Sequence, residues 1–226
     1  MTHKDRNKKW VLIMGAVIFI FILLICIVFL VSGHKSIYTV LVQTPFYTGQ
    51  GIIYERADKE AVVVTAAHIL DGLEENDNCT VFIDHDFQVQ AQAFYISETA
   101  DVAFLLLDWK EYSRNNIGTL QVGAVKKDRA RFDDLKEESY IFAYDYEKTK
   151  ITGSVISPWI YLEDFDLNMM LAKLPLRQGM SGSGVYDKKG YFVGIICGSN
   201  GEEAAILPFS VIESEWIMAK DKIKMK

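Results

Sequence analysis

Gly179-Met180-Ser181-Gly182-Ser183-Gly184-Val185 is a run of small residues set tightly between apolar segments at 169–174 and 191–196. Flanks of that kind rule out a loose linker, and the glycines point to a sharp turn held inside a sheet. A serine in such a turn is a weak nucleophile at neutral pH unless a base and an orienting carboxylate stand beside it. Two upstream segments offer them. Thr65-Ala66-Ala67-His68 ends an apolar stretch with a histidine, and Thr99-Ala100-Asp101-Val102-Ala103 opens another with an aspartate. Asp71, Asp84 and Asp86 lie nearer to His68 in sequence, but none of them heads an apolar strand. On residue type alone, Ser181 and Ser183 both remain open as the nucleophile.

The order of these residues removes two alternatives. All four histidines (His3, His34, His68, His85) precede Ser181. A nucleophile-elbow hydrolase needs its histidine after the serine, and Ser183 stands where the second glycine of that motif would be. The order Asp, His, Ser could draft Asp58, but it belongs with a helix-rich pattern that this chain lacks.

In the order His, Asp, Ser, the three segments resemble the trypsin-like (chymotrypsin-fold) serine peptidases, chiefly the bacterial HtrA-type and glutamyl-endopeptidase branches. The resemblance spans roughly residues 37–210. It implies His68 as general base, Asp101 as its orienter and Ser181 as nucleophile, with the main-chain N–H groups of Gly179 and Ser181 as the oxyanion hole. Ser183 falls where that family has glycine or serine. Met180 replaces the usual Asn or Asp, at a position where only the backbone is needed. Thr48-Gly49-Gln50-Gly51 is similar to the G-x-G strand before the family's histidine strand. Leu176, Cys197 and Gly198 fall at substrate-binding positions, with Cys197 where many relatives have serine near the aspartate. Leu174, Pro175 and Leu176 imply an apolar pocket before the scissile bond, whereas Arg177 could instead select an acidic residue. A silent trypsin-fold module that binds peptides or proteins is the alternative reading.

Residues 11–31 are an uninterrupted apolar run with no charge. At about 1.5 Å per residue, such a helix crosses the roughly 30 Å core of a bilayer. Trp10 sits at its edge, and Lys4, Arg6, Lys8 and Lys9 precede it against one Asp5. That asymmetry keeps the N-terminus cytoplasmic and exports the rest. The expected division is a tail at 1–9, a membrane-spanning signal anchor at 10–32 that contacts lipid, and a peptidase domain at 33–226 outside the cell membrane. A signal peptide cut near Val31-Ser32-Gly33 is the competing reading, but its apolar core would be shorter.

The chain carries 24 Lys and Arg against 30 Asp and Glu, and without Lys4, Asp5, Arg6, Lys8 and Lys9 the balance is 20 against 29. A net charge near −9 argues against a nucleic-acid partner and leaves a polypeptide as the expected one. Three cysteines, one of them Cys26 in the apolar run, allow at most one bridge between Cys79 and Cys197. Exported animal peptidases carry more, so the usage points to a bacterial chain. No C-x-x-C or H-E-x-x-H pattern occurs, so neither a metal nor a cofactor is expected.

Twelve short segments rich in Val, Ile, Phe and Tyr read as strands. Six fall at 37–42, 51–54, 61–65, 80–83, 88–94 and 102–107; six more fall at 140–144, 151–156, 169–174, 184–186, 191–196 and 204–208. The expected fold is all-β: two antiparallel six-stranded barrels, at about 37–112 and 138–210, joined by the charged stretch 126–138 and closed by a C-terminal helix at 211–226. Ser210 and Glu213 are spaced as a capping box for that helix.

Overall fold

The computed structural model describes residues 39–57, 60–85, 87–108 and 123–223. Ile37–Lys226 forms one compact unit. The expected tail and membrane span lie outside the described residues, as do positions 37–38 and 224–226. Among the described residues no helix is long and apolar enough to cross a membrane.

All twelve expected strands form. The first six are β1 (Thr39–Gln43), β2 (Thr48–Arg56), β3 (Glu60–Thr65), β4 (Asn78–Asp84), β5 (Phe87–Ile96) and β6 (Ala103–Asp108). The second six are β7 (Tyr140–Tyr144), β8 (Lys150–Leu162), β9 (Leu167–Lys173), β10 (Gly184–Asp187), β11 (Phe192–Ser199) and β12 (Glu203–Pro208). Each set closes into an antiparallel barrel, in the orders β1-β2-β3-β6-β5-β4 and β7-β8-β9-β12-β11-β10. The two orders are the same, although no internal sequence repeat announces it. Closure gives every described strand two neighbours, but β11 runs past its last pair with β10, Ile195 opposite Gly184, which leaves its end at Cys197–Ser199 open on that side.

Whereas β1 and β4 alternate, strand periodicity explains why β3 and β6 are apolar without alternation. Successive side chains point to opposite faces, and here both faces are buried. Ile53, Val63 and Leu105 fill the barrel interior. Their neighbours Ile52, Val62, Val64 and Phe104 turn outward and merge with the core of the second barrel. The six residues of β3 are accordingly all buried.

The connection at 126–138 is not simply a charged loop. It holds a short helix, α1 (Arg129–Asp133), whose first turn is capped by Asp128 accepting from the Ala130 N–H at 3.1 Å. The closing helix, α2 (Phe209–Ala219), starts two residues earlier than expected and runs into a 3-10 turn at Lys220–Lys222. Its N-cap is Pro208, with no side-chain cap, so the capping box does not form. Phe209 is drawn into the helix by burial against Phe132 and Phe192. Ser210 therefore points inward with its hydroxyl unpartnered, and Glu213 bonds Arg129 Nη1 at 3.0 Å. Trp216 of α2 packs on Tyr54, Phe94 and Phe104, which ties the end of the second barrel to the first.

Candidate active site

Register brings the histidine and the aspartate together. β3 and β6 run antiparallel with Thr65 opposite Ala103, so the residues just after 65 and just before 103 share one end of the barrel. His68 sits in a single 3-10 turn, Ala67–Leu70, directly after β3. Asp101 ends a bend in which the Ser97 hydroxyl accepts from the N–H of Thr99 and of Ala100. The Asp101 carboxylate then holds His68 at two points. Oδ1 accepts from the main-chain N–H at 2.9 Å, and Oδ2 faces ring Nδ1 at 2.8 Å.

This hold sets the charge of both groups. The hydrogen bond to Asp101 raises the His68 pKa above 6.5, against burial, which lowers it. Burial alone would push Asp101 up, but the hydrogen bonds from the His68 ring and main chain outweigh it, and its pKa falls below 3.8. An aspartate so engaged stays ionised and fixes the ring with Nδ1–H toward itself, which leaves Nε2 free to take a proton.

The serine turn is built by the second barrel and seated on the first. Gly179 and Gly182 have φ of +87° and +84°, in the left-handed region that glycine adopts without a side-chain clash. A Cβ at Gly182 would lie 1.9 Å from the Gln50 carbonyl oxygen, so glycine is also required there by contact. The Gly182 N–H bonds Ile196 O at 2.7 Å, and the Ser181 carbonyl accepts from Gln50 N–H at 2.7 Å. Gly49, one residue earlier, is wedged between Ile69 and the Ser181 carbonyl. Ser181 is thus placed beside the turn that carries His68. Its hydroxyl has no hydrogen-bond partner among the described residues. Such contacts commonly tighten only once substrate is bound.

Among the described residues, the N–H groups of Gly179 and Ser181 make no main-chain hydrogen bond, while those of Gly182 and Ser183 are both occupied. Two free donors that flank a single residue can stabilise a developing oxyanion. Met180, between them, is buried and anchors the turn by apolar contact.

A cavity of about 310 Å³ opens beside Ser181, walled by Leu176, Met180, Ile196, Gly198 and Ser199. Leu176 and Gly198, two of the residues expected to bind substrate, line this cavity, while Leu174 is fully buried and does not. Cys197 is not on the wall. Its Sγ points to the Asp101 carbonyl at 3.5 Å. Arg177 reaches the rim, but its guanidinium lies 3.6 Å from Asp145 Oδ2. Both cysteines of the barrels are free, so no bridge joins Cys79 to Cys197. No cluster of His, Cys, Asp and Glu able to hold a metal occurs among the described residues.

Two groups were missed in the sequence. Gln50 is buried and bonds both Gly179 and Ser183. Glu215 of α2 is buried and accepts from Tyr95 of β5 and from Thr99, in the bend before Asp101. Each had a local signal: a polar residue between two glycines of an apolar strand, and an acid on the stripe of Ile212, Trp216 and Ala219.

Paired six-stranded barrels, with a histidine, an aspartate and a serine turn gathered beside their shared core, define the trypsin-like peptidases. The chain belongs to that family: residues 49–195 match the trypsin-like peptidase domain. Its class is serine endopeptidase. Rv3671c from M. tuberculosis H37Rv, solved as a mutant in the inactive form, has a similar fold. It aligns with a TM-score of 0.63 at 16% identity, over 84% of this chain and 89% of that one. Deg5 aligns with a TM-score of 0.60 at 18% identity, over 80% and 88%. No curated protein matches the chain.

Proposed function

We propose that this chain is a single-pass, membrane-anchored endopeptidase that hydrolyses polypeptides on the outer side of the cytoplasmic membrane through His68, Asp101 and Ser181. The observation that carries the chemistry is the two-point hold of Asp101 on His68, next to a serine turn with two unoccupied N–H donors. Ser181 Oγ adds to the peptide carbonyl carbon while His68 Nε2 takes the hydroxyl proton. The carbonyl oxygen, now negative, is met by the N–H groups of Gly179 and Ser181. The C–N bond then breaks as His68 returns that proton to the leaving amine, which leaves an acyl-serine. Water repeats the cycle, its proton passing through His68 back to Ser181, and the carboxylic acid product departs. Asp101 stays ionised and stabilises the imidazolium in each half. The substrate lies extended along Gly198, as a strand added to β11.

The anchor is supported by the uncharged run at 11–31 and its basic flank. It assigns 1–9 to a cytoplasmic tail and 33–226 to the exported domain.

Labelling the full chain with a fluorophosphonate probe tests the chemistry, because only an activated serine reacts. Ser181→Ala should abolish labelling and reduce peptide hydrolysis on the order of 10⁴-fold or more, while Ser183→Ala still labels. A wild type that binds peptide but takes no probe would be a silent binding module. Cell fractionation with external proteolysis tests the anchor. A soluble chain starting near His34 would replace it with a cleaved signal peptide.

A further inference from the structure

Gln50 stands on β2 between two glycines, is 5% exposed and uses every polar atom it has. Its main-chain N–H donates to Ser181 O at 2.7 Å, and its carbonyl accepts from Thr65 Oγ1 at 2.6 Å. The side-chain amide spans the turn: Nε2 donates to Gly179 O at 3.2 Å, and Oε1 accepts from Ser183 Oγ at 2.8 Å. This orientation of the amide follows from its partners. A carbonyl oxygen can only accept, so the NH₂ must face Gly179.

We infer that Gln50 is a positioning residue for the oxyanion turn, holding the Gly179–Met180 peptide so that the N–H groups on either side of it face the substrate. The inference rests on the proposed roles of Gly179 and Ser181. A Cβ at Gly179 would meet nothing within 4 Å, so no steric wall fixes this glycine. Gly179 is free to rotate at little steric cost. The Gln50 amide supplies the missing restraint from a barrel strand, which is stiffer than the turn it grips. Oxyanion stabilisation depends on donors already aimed before charge develops, so a slack peptide is felt in the chemical step more than in substrate binding. Ser183 completes the clasp by orienting the Gln50 amide, which gives that buried hydroxyl a role without making it the nucleophile.

The test compares Gln50→Met, Gln50→Glu and Ser183→Ala in the detergent-solubilised full chain. It measures kcat and KM on a chromogenic peptide, affinity for a peptide boronic acid that forms a tetrahedral adduct, and thermal unfolding. Gln50→Met keeps the size and loses the donor. It should lower kcat by about 10- to 100-fold with KM little changed, less than the roughly 10²- to 10³-fold seen when an oxyanion donor itself is lost, because both donors remain and only their aim is slackened. Boronate affinity should fall by the same factor. Gln50→Glu keeps the acceptor for Ser183 but sets a carboxylate against Gly179 O, and should lose at least as much. Ser183→Ala should cost only about threefold, the scale of one neutral hydrogen bond. If Gln50→Met does not fold, Gln50→Glu carries the test alone. Turnover within threefold of wild type in a folded Gln50 variant, or a loss confined to KM, overturns the inference. A wild type that neither labels nor hydrolyses peptide overturns the proposed function along with it, so the two failures are distinct.

Discussion

Glu215 of α2 accepts a hydrogen bond from the Thr99 hydroxyl at 3.2 Å, two residues before Asp101. The helix that ends the second barrel therefore braces the bend of the first barrel that carries the proposed orienting carboxylate. The same carboxylate accepts from Tyr95 OH at 2.7 Å, and burial together with this bond pushes the Tyr95 pKa up to about 12.

Replacing Glu215 by Ala leaves two hydroxyls facing a buried gap. The expected cost is about 2 kcal/mol, or a fall of roughly 4–8 °C in melting temperature. Glu215→Gln can still accept from one hydroxyl and should lose less. An unchanged melting temperature in the alanine variant would remove Glu215 from this role.

The pair His68 and Asp101 predicts opposite pH trends for activity and stability. Proton transfer needs a neutral imidazole, and Asp101 holds the His68 pKa above 6.5. The acid limb of kcat/KM should therefore lie above 6.5, and move down in Asp101→Asn. For stability, the raised His68 pKa gives a contribution that is complete below 6.5 and lost as pH climbs through the folded value. The lowered Asp101 pKa gives one that is present above 3.8 and lost as pH falls through its folded value. The melting-temperature gap between wild type and Asp101→Asn should be widest between those limits. A gap that grows steadily toward alkaline pH would contradict the assignment.

Cys197 should behave as a protonated hydrogen-bond donor and not as a reactive thiol. Burial, with the Asp101 charge adding to it, lifts its pKa well above 9, and burial lifts Cys79 to about 12. In a Cys26→Ser background neither thiol should react with a thiol-specific reagent until the chain is unfolded. Cys197→Ser substitutes a stronger donor and should keep turnover within about fivefold of wild type. Rapid labelling of the folded protein would show that the burial is wrong.

Cleavage should follow small or medium apolar residues. Among the described residues no carboxylate lines the cavity beside Ser181, and the cation on its rim, Arg177, faces Asp145. A substrate Lys or Arg would lose on the order of several kcal/mol by entering without a partner. Profiling on a peptide library decides this. Cutting after Lys or Arg would sink the pocket reading, and cutting after Glu would mean that Arg177 leaves Asp145 when substrate binds.

The strands were legible because each is an apolar run bounded by polar turns, and burial on both faces made runs such as 61–65 stand out. The proposed catalytic residues were legible as motifs of four or five neighbours, with local settings that survive reading in one dimension. The start of α2 was not, because Phe209 joins the helix through contacts with Phe132 and Phe192 that lie far away in sequence. Gln50 was visible only as part of a motif. Its bond to Gly179 joins positions 129 apart, and the register between two barrels decides it. Glu215 was hidden for the same reason, since its partner Thr99 is 116 positions away.

The packing of Trp216 against Tyr54, Phe94 and Phe104 also has a consequence in time. A ribosome completes β6 long before it reaches the serine turn, and reaches α2 later still. His68 and Asp101 can thus meet early, while Ser181, the proposed nucleophile, is unmade and the aromatic face that awaits Trp216 is bare. A newborn chain of this kind acquires its cutting edge only near the end of its synthesis, and nascent chains that stall before residue 209 emerges remain without the helix that braces Asp101.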